Sequence, residues 1–231
     1  MGKQTVMMNF ELILILAIGI AGFLVQSRLK QVFKKYSQVM SPGGLTGREI
    51  AEKMLRDNGI YDVRVTSIPG QLTDHYNPQT KTVNLSQGVY SSSSVAAAAV
   101  AAHECGHALQ HATGYAPLQM RSRLVPIVQV SSMFSQIVIL IGIFTLHVFP
   151  ALFWLGIAMF AMIFLFSAIT LPVEYNASHR ALAWLERSGS LRTMEVQQAK
   201  EALTWAARTY LVAALSALAS LVYYLGFADR D

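Results

Sequence analysis

Residues 103 to 107 read His-Glu-Cys-Gly-His. Two histidines four apart on a helix project from one face, one turn apart. That is the separation two ligands of a tetrahedral zinc ion need. Glu104 follows the first histidine, where a carboxylate reaches the metal's open position and takes a proton from the attacking water. The spacing therefore predicts metal-assisted hydrolysis with Glu104 as general base. The plainer alternative is an amphipathic helix whose histidines bond to backbone or solvent, and only structural context separates the two.

The elements around the motif supply that context. Ser91–Ser94 offers an N-cap, and Val95 to His111 is rich in alanine, the best helix former, before Gly114 ends it. Small residues ahead of the histidines allow close packing, and Gly106 removes bulk beside them. Further upstream, Thr46-Gly47-Arg48-Glu49 is a capping-box pattern, followed by Ile50, Ala51, Met54 and Leu55 at helical spacing until Asn58-Gly59. Asp62–Ile68 alternates and is β-branched, Asp74-His75-Tyr76 extends, and Thr82–Leu85 forms a further strand. Pro69-Gly70 and Asn77-Pro78 turn between them. A small α+β segment with two or three short strands is expected.

The rest of the chain is of a different kind. Of 231 residues, 53% are apolar and only 13% charged, about half the charge of a soluble domain; the mean hydropathy is +0.40. The apolar residues sit in four blocks, Val6–Val25, Val125–Phe149, Ala151–Val173 and Leu203–Phe227. Each is about 20 residues or more, enough to cross a ~30 Å hydrocarbon layer. The first lacks a small-residue cleavage site and reads as an uncleaved anchor. The expected fold is mostly α, a polytopic membrane protein with about four transmembrane helices and a small cytosolic, zincin-like α+β part. Its divisions are an anchor at 1–27, the α+β segment with the zinc helix at 28–124, a helical hairpin at 125–173, a polar segment at 174–202 and a last span at 203–231.

Charge sets the orientation. Arg28, Lys30, Lys34 and Lys35 follow the first block, Arg121 and Arg123 precede the second, and Arg180, Arg187, Arg192 and Lys200 separate the third from the fourth. The positive-inside rule puts both long polar segments in the cytosol and the N-terminus outside. The net charge of +5 and pI near 9.4 then describe residues beside anionic lipid, with no nucleic-acid partner. Cys105 is the only cysteine, so no intrachain disulfide forms and a reducing compartment fits. It lies on the opposite side of the helix from His103, away from the chemistry.

A catalytic zinc needs a third protein ligand. His111 lies four residues beyond His107, yet three successive turns of one helix do not reach one ion comfortably. The extended His-x-x-Gly-x-x-His pattern is absent, because positions 110 and 113 are Gln and Thr. Glu174 is the better candidate. It ends the third apolar block, where an unpaired carboxylate is expensive, and charge places it on the same membrane face as the histidines. Glu186, Glu195 and Glu201 compete, but they lie in a polar stretch where solvated carboxylates are ordinary. His75, Tyr76 and His179 are candidates for oxyanion stabilisation, and His111 for a supporting role.

Three stretches, Leu72–Pro78 with Lys81-Thr82-Val83, Ser94–His111 and Leu171–Leu182, resemble the YugP-like bacterial membrane zinc metallopeptidases, a gluzincin-type family of about this length. The resemblance covers almost the whole chain. It implies four spans, a bacterial plasma-membrane location, one zinc ion per chain and peptidase activity on peptide or protein substrates at the cytosolic face. Carried to these positions, His103, His107 and Glu174 are ligands and Glu104 is the base. Two positions depart from the pattern: Asn176 and Ser178 stand where aspartates are expected. The alternative reading is a zinc-binding scaffold or regulator without catalysis, against which Glu104 argues, since a structural site needs no base.

Overall fold

Why the apolar blocks and the polar segments form continuous helices is clear from the backbone of the computed structural model. It describes residues 2–228, with side chains from 13 to 226. The start of the first apolar block and the tail after Ala228 lie outside the described side chains. In chain order the elements are α1 (Gly2–Tyr36), α2 (Gly47–Asp57), β1 (Arg64–Ile68), β2 (His75–Asn77), β3 (Thr82–Ser86) and α3 (Gln87–Tyr90). Then come α4 (Val95–Ala112), α5 (Ala116–Phe144), α6 (Pro150–Arg187) and α7 (Thr193–Ala228). Helices α1, α5, α6 and α7 each hold a stretch long and apolar enough to cross a membrane. The protein is mostly helical and polytopic, with a small α+β part.

The expected divisions after 27, 124, 173 and 202 fall inside α1, α5, α6 and α7, not between elements. Hydropathy changes at those points, but backbone hydrogen bonding does not. Hydrocarbon forces the apolar part to satisfy its own backbone, and the polar residues that follow are good helix formers. Ala181, Leu182, Ala183, Leu185 and Glu186 carry α6 onward until Gly189, at φ 66°, takes the left-handed conformation past its end. Pro150 opens α6 at the position where its missing N–H costs no helical bond.

The α+β part follows its local signals. Thr46 accepts from the Glu49 backbone while Glu49 reaches back to Thr46, closing the capping box of α2. Three strands form a sheet in the order β1-β3-β2. β3 runs parallel to β1, pairing Arg64 with Thr82, and antiparallel to β2, pairing His75 with Asn84. β1 begins at Arg64, two residues later than expected, and the preceding Asp62 forms an ion pair with Lys81. The short helix α3 has no counterpart in the sequence pattern.

Ser94 caps α4 by accepting from Ala97. All of α4 is buried except His103, His111 and Ala112. Its alanines and Cys105 meet Ile50, Met54 and Leu55 of α2, Val83 and Leu85 of β3, and Trp184 and Leu185 of α6. Each large side chain buried there contributes roughly 1.5–3 kcal/mol. One compact unit comprises Gln26–Gln119 with Pro172–Arg208; the other takes the apolar stretches, Met120–Leu171 among them.

Candidate metal centre

The polar half of α6 and the C-terminal half of α4 pack side by side in the first of these units. Gly106 makes that approach possible: a Cβ there would lie 2.5 Å from the Ala177 carbonyl oxygen. Gly106 sits between the two histidines of the motif, so the contact it permits brings His103, His107 and Glu174 together.

Their donor atoms all lie within 4.8 Å of one another. His103 Nε2 is 3.2 Å and His107 Nε2 is 3.5 Å from one carboxylate oxygen, Glu174 Oε2. The imidazole rings meet edge to face, 4.8 Å between centroids. Glu174 is only 2% exposed, and a carboxylate so deeply buried needs a cationic partner. Two imidazole nitrogens and a carboxylate oxygen converging on one point form a donor set that suits zinc. The residues present fit the metal.

Each histidine is held from behind. His103 Nδ1 lies 3.1 Å from Ser178 Oγ, and His107 Nδ1 lies 3.0 Å from Gln110 Oε1. Such partners fix the ring orientation and leave Nε2 facing the centre.

Glu104 is buried beside the cluster. Burial pushes its carboxyl up to about 7, against the pull of His103 and with the help of the Glu174 and Asp74 charges. The Tyr76 backbone, close to this carboxylate, slightly favours its ionised form. Asp74 is itself fixed, accepting from the Ser86 backbone N–H at 2.7 Å and from Ser86 Oγ at 3.1 Å. A carboxylate in this range holds a proton more tightly than an ordinary glutamate and is still substantially ionised near neutrality.

The remaining sequence candidates are dispersed. Both ring nitrogens of His75 are engaged by the sheet, Nδ1 with the Thr73 carbonyl at 2.8 Å and Nε2 with Asn84 Nδ2 at 3.2 Å. Tyr76 turns its phenol to His111 Nδ1, 2.8 Å away. His111 is exposed and stands outside the cluster, as does His179 on α6. Cys105 faces the core, its thiol donating to the Ala51 carbonyl at 3.5 Å; burial pushes that thiol up.

Sequence alone gives Gln110, Ser178 and Asn176 no role; they stand out there only as departures from known patterns. A signal existed for the first two. Gln110 lies three residues after His107 and Ser178 four after Glu174, spacings that share a helix face.

The class shown by fold and site is a polytopic helical membrane protein with a buried cluster of side chains able to hold a metal. The chain belongs to the family described as "Putative neutral zinc metallopeptidase", whose model matches residues 11–229. It is 40% identical over 218 residues to "Putative membrane protease YugP" of Bacillus subtilis (strain 168), covering 94% of this chain and 96% of that one. No solved structure matches it.

Proposed function

We propose that the protein is a membrane-bound zinc metallopeptidase of gluzincin type, hydrolysing peptide bonds at the cytosolic membrane face. His103, His107 and Glu174 hold one zinc ion per chain, and Glu104 is the general base. The observation that carries this reading is the convergence of two imidazole nitrogens on the buried Glu174 carboxylate, with Glu104 alongside. When bound, zinc supplies Lewis-acid polarisation of the scissile carbonyl and acidifies water.

The chain's own residues do the rest. Glu104 takes the proton of the attacking water and returns it to the leaving amine. Its raised carboxyl suits both halves of that transfer. β2 is an edge of the sheet, and its Tyr76 backbone touches Glu104, so an extended substrate pairing with this edge lies beside the base. Of the three oxyanion candidates, Tyr76 has a described contact with the base, and through its backbone. The substrates are peptides or proteins, membrane-associated ones included, in the plasma membrane of a bacterium; the lysine and arginine asymmetry supports the cytosolic face.

Glu104→Gln tests the reading. It is expected to retain about one zinc per chain and to lose peptide-cleaving activity by about 10²–10⁴-fold. Full activity in that variant overturns the mechanism. The face is tested separately: a reporter fused after Tyr115 is expected in the cytosol and one after Asp231 outside, and the reverse pattern moves the substrate pool across the membrane.

A further inference from the structure

Gln110 is completely buried. A buried amide with an unpaired group costs about 1–3 kcal/mol per group, and here every polar group is used. Nε2 lies 2.8 Å from the Val173 carbonyl oxygen and 3.0 Å from Asn176 Oδ1, while Oε1 lies 3.0 Å from His107 Nδ1. Arg180 Nε donates to the same Asn176 Oδ1 at 2.8 Å.

We propose that Gln110 is a positioning residue for His107, and that a hydrogen-bond chain with one permitted direction, begun at Arg180, fixes which ring nitrogen His107 offers. The inference rests on His107 being a zinc ligand.

The direction follows from donor and acceptor chemistry. A guanidinium only donates, so Asn176 must turn its oxygen toward Arg180. That oxygen also faces Gln110, which must therefore present its NH₂ group. The Val173 carbonyl only accepts and demands the same orientation independently. With both amide hydrogens committed on one side, Gln110 has only its carbonyl oxygen for His107. The ring nitrogen facing a carbonyl oxygen carries the proton, so Nδ1 is N–H and Nε2 is the nitrogen left to bind a metal. Nε2 is the atom that points at Glu174. A ligand nitrogen must be unprotonated, and this chain directs that role to Nε2 by keeping Nδ1 engaged with Gln110.

The two amides thus have different requirements. Position 176 uses only an acceptor, so aspartate serves there as well as asparagine. Position 110 needs a double donor and an acceptor in one side chain, which an ionised glutamate of the same shape cannot provide.

The test is zinc affinity of the full-length protein by competition with a chelator, together with the visible spectrum of its Co²⁺-substituted form. Gln110→Glu and Asn176→Leu are each expected to weaken zinc by about 10–100-fold and to alter the cobalt spectrum. Asn176→Asp should stay within about threefold of the parent, and Arg180→Lys, which still donates, should retain more affinity than Arg180→Met. Unchanged affinity in Gln110→Glu, or equal losses in Asn176→Asp and Asn176→Leu, overturns the chain. Should Gln110→Glu fail to fold, the two position-176 variants still decide. His107→Ala separates the two readings: if it keeps zinc, the ligand assignment has failed; if it loses zinc while Gln110→Glu keeps it, only the positioning role has failed.

Discussion

The two compact units both bring helices very close together, yet the polar side chains near these approaches bond differently. In the apolar unit a Cβ on Gly142 would lie 2.6 Å from Phe153 Cα, an approach as tight as that of Gly106 on Ala177. There, two hydroxyls return to their own helix: Thr145 Oγ1 donates to the Ile141 carbonyl and Ser167 Oγ to that of Ile163. In the other unit, Gln110, Ser178 and Glu174 bond from one helix to another. Glycine gives proximity in both places. A bond within one helix makes a hydroxyl tolerable in hydrocarbon, whereas a bond between helices fixes their relative register. Their outward faces differ as well. Met133, Ile137 and Phe144 are exposed at 68%, 58% and 82%, as suits lipid and not water.

This contrast breaks most visibly at Glu174. Glu174→Ala is expected to drop zinc from one per chain to near none, as severely as His103→Ala, while Glu186→Ala leaves the metal content unchanged. Elemental analysis of the purified variants reads this directly. A zinc-replete Glu174→Ala protein would reduce the between-helix bonds to packing alone.

The next largest effect concerns Glu104 in metal-free protein. Burial raises its folded carboxyl to about 7, above the ordinary unfolded value of about 4.3. The ionised form is therefore a cost to folding that grows as pH rises through that window and is complete above it. Glu104→Gln removes the cost. The metal-free variant should be more stable than its parent at pH 8 by on the order of 3 kcal/mol, with the gap closing near pH 4.5. Thermal melting at the two pH values checks the sign; an equal gap at both would disconnect it from ionisation.

Gly106→Ala sharpens the comparison further. Its new methyl meets backbone, which cannot swing away, so a loss of about 1–3 kcal/mol is expected, with weaker zinc retention. Gly142→Ala should destabilise to a similar degree and leave zinc affinity alone. Equal effects on zinc would show that tight approach, and not the bonds it permits, governs the centre. The smallest change is expected at Met133→Ala, within about 0.5 kcal/mol, because that side chain packs against little of the protein; a large loss would mean that its exposed face is covered by something other than lipid.

Much of this was legible in the sequence because the relevant signals are local. The capping box, the alternation in β1 and β3, and the four-residue histidine spacing each occupy a few consecutive residues. Glu174 was legible for another reason: a carboxylate ending an apolar block is expensive and asks for a partner. The continuation of α1, α5, α6 and α7 past their apolar stretches was not legible, because hydropathy marks a change of surroundings and not a break in backbone bonding. Tyr76 and His111 are 35 residues apart, and their meeting depends on how the sheet packs against α4. Gln110 carries no charge to draw notice, and its role appears only when both α6 acceptors are in view.

The separation of Glu174 from His103 by 71 residues also has a meaning in time. The apolar part of α5 and that of α6 are both synthesised between His107 and Glu174. At roughly 5–20 residues per second, a growing chain displays the two histidines for several seconds before the third member of the cluster exists. Any chain cut short before Glu174 lacks the third member of that cluster.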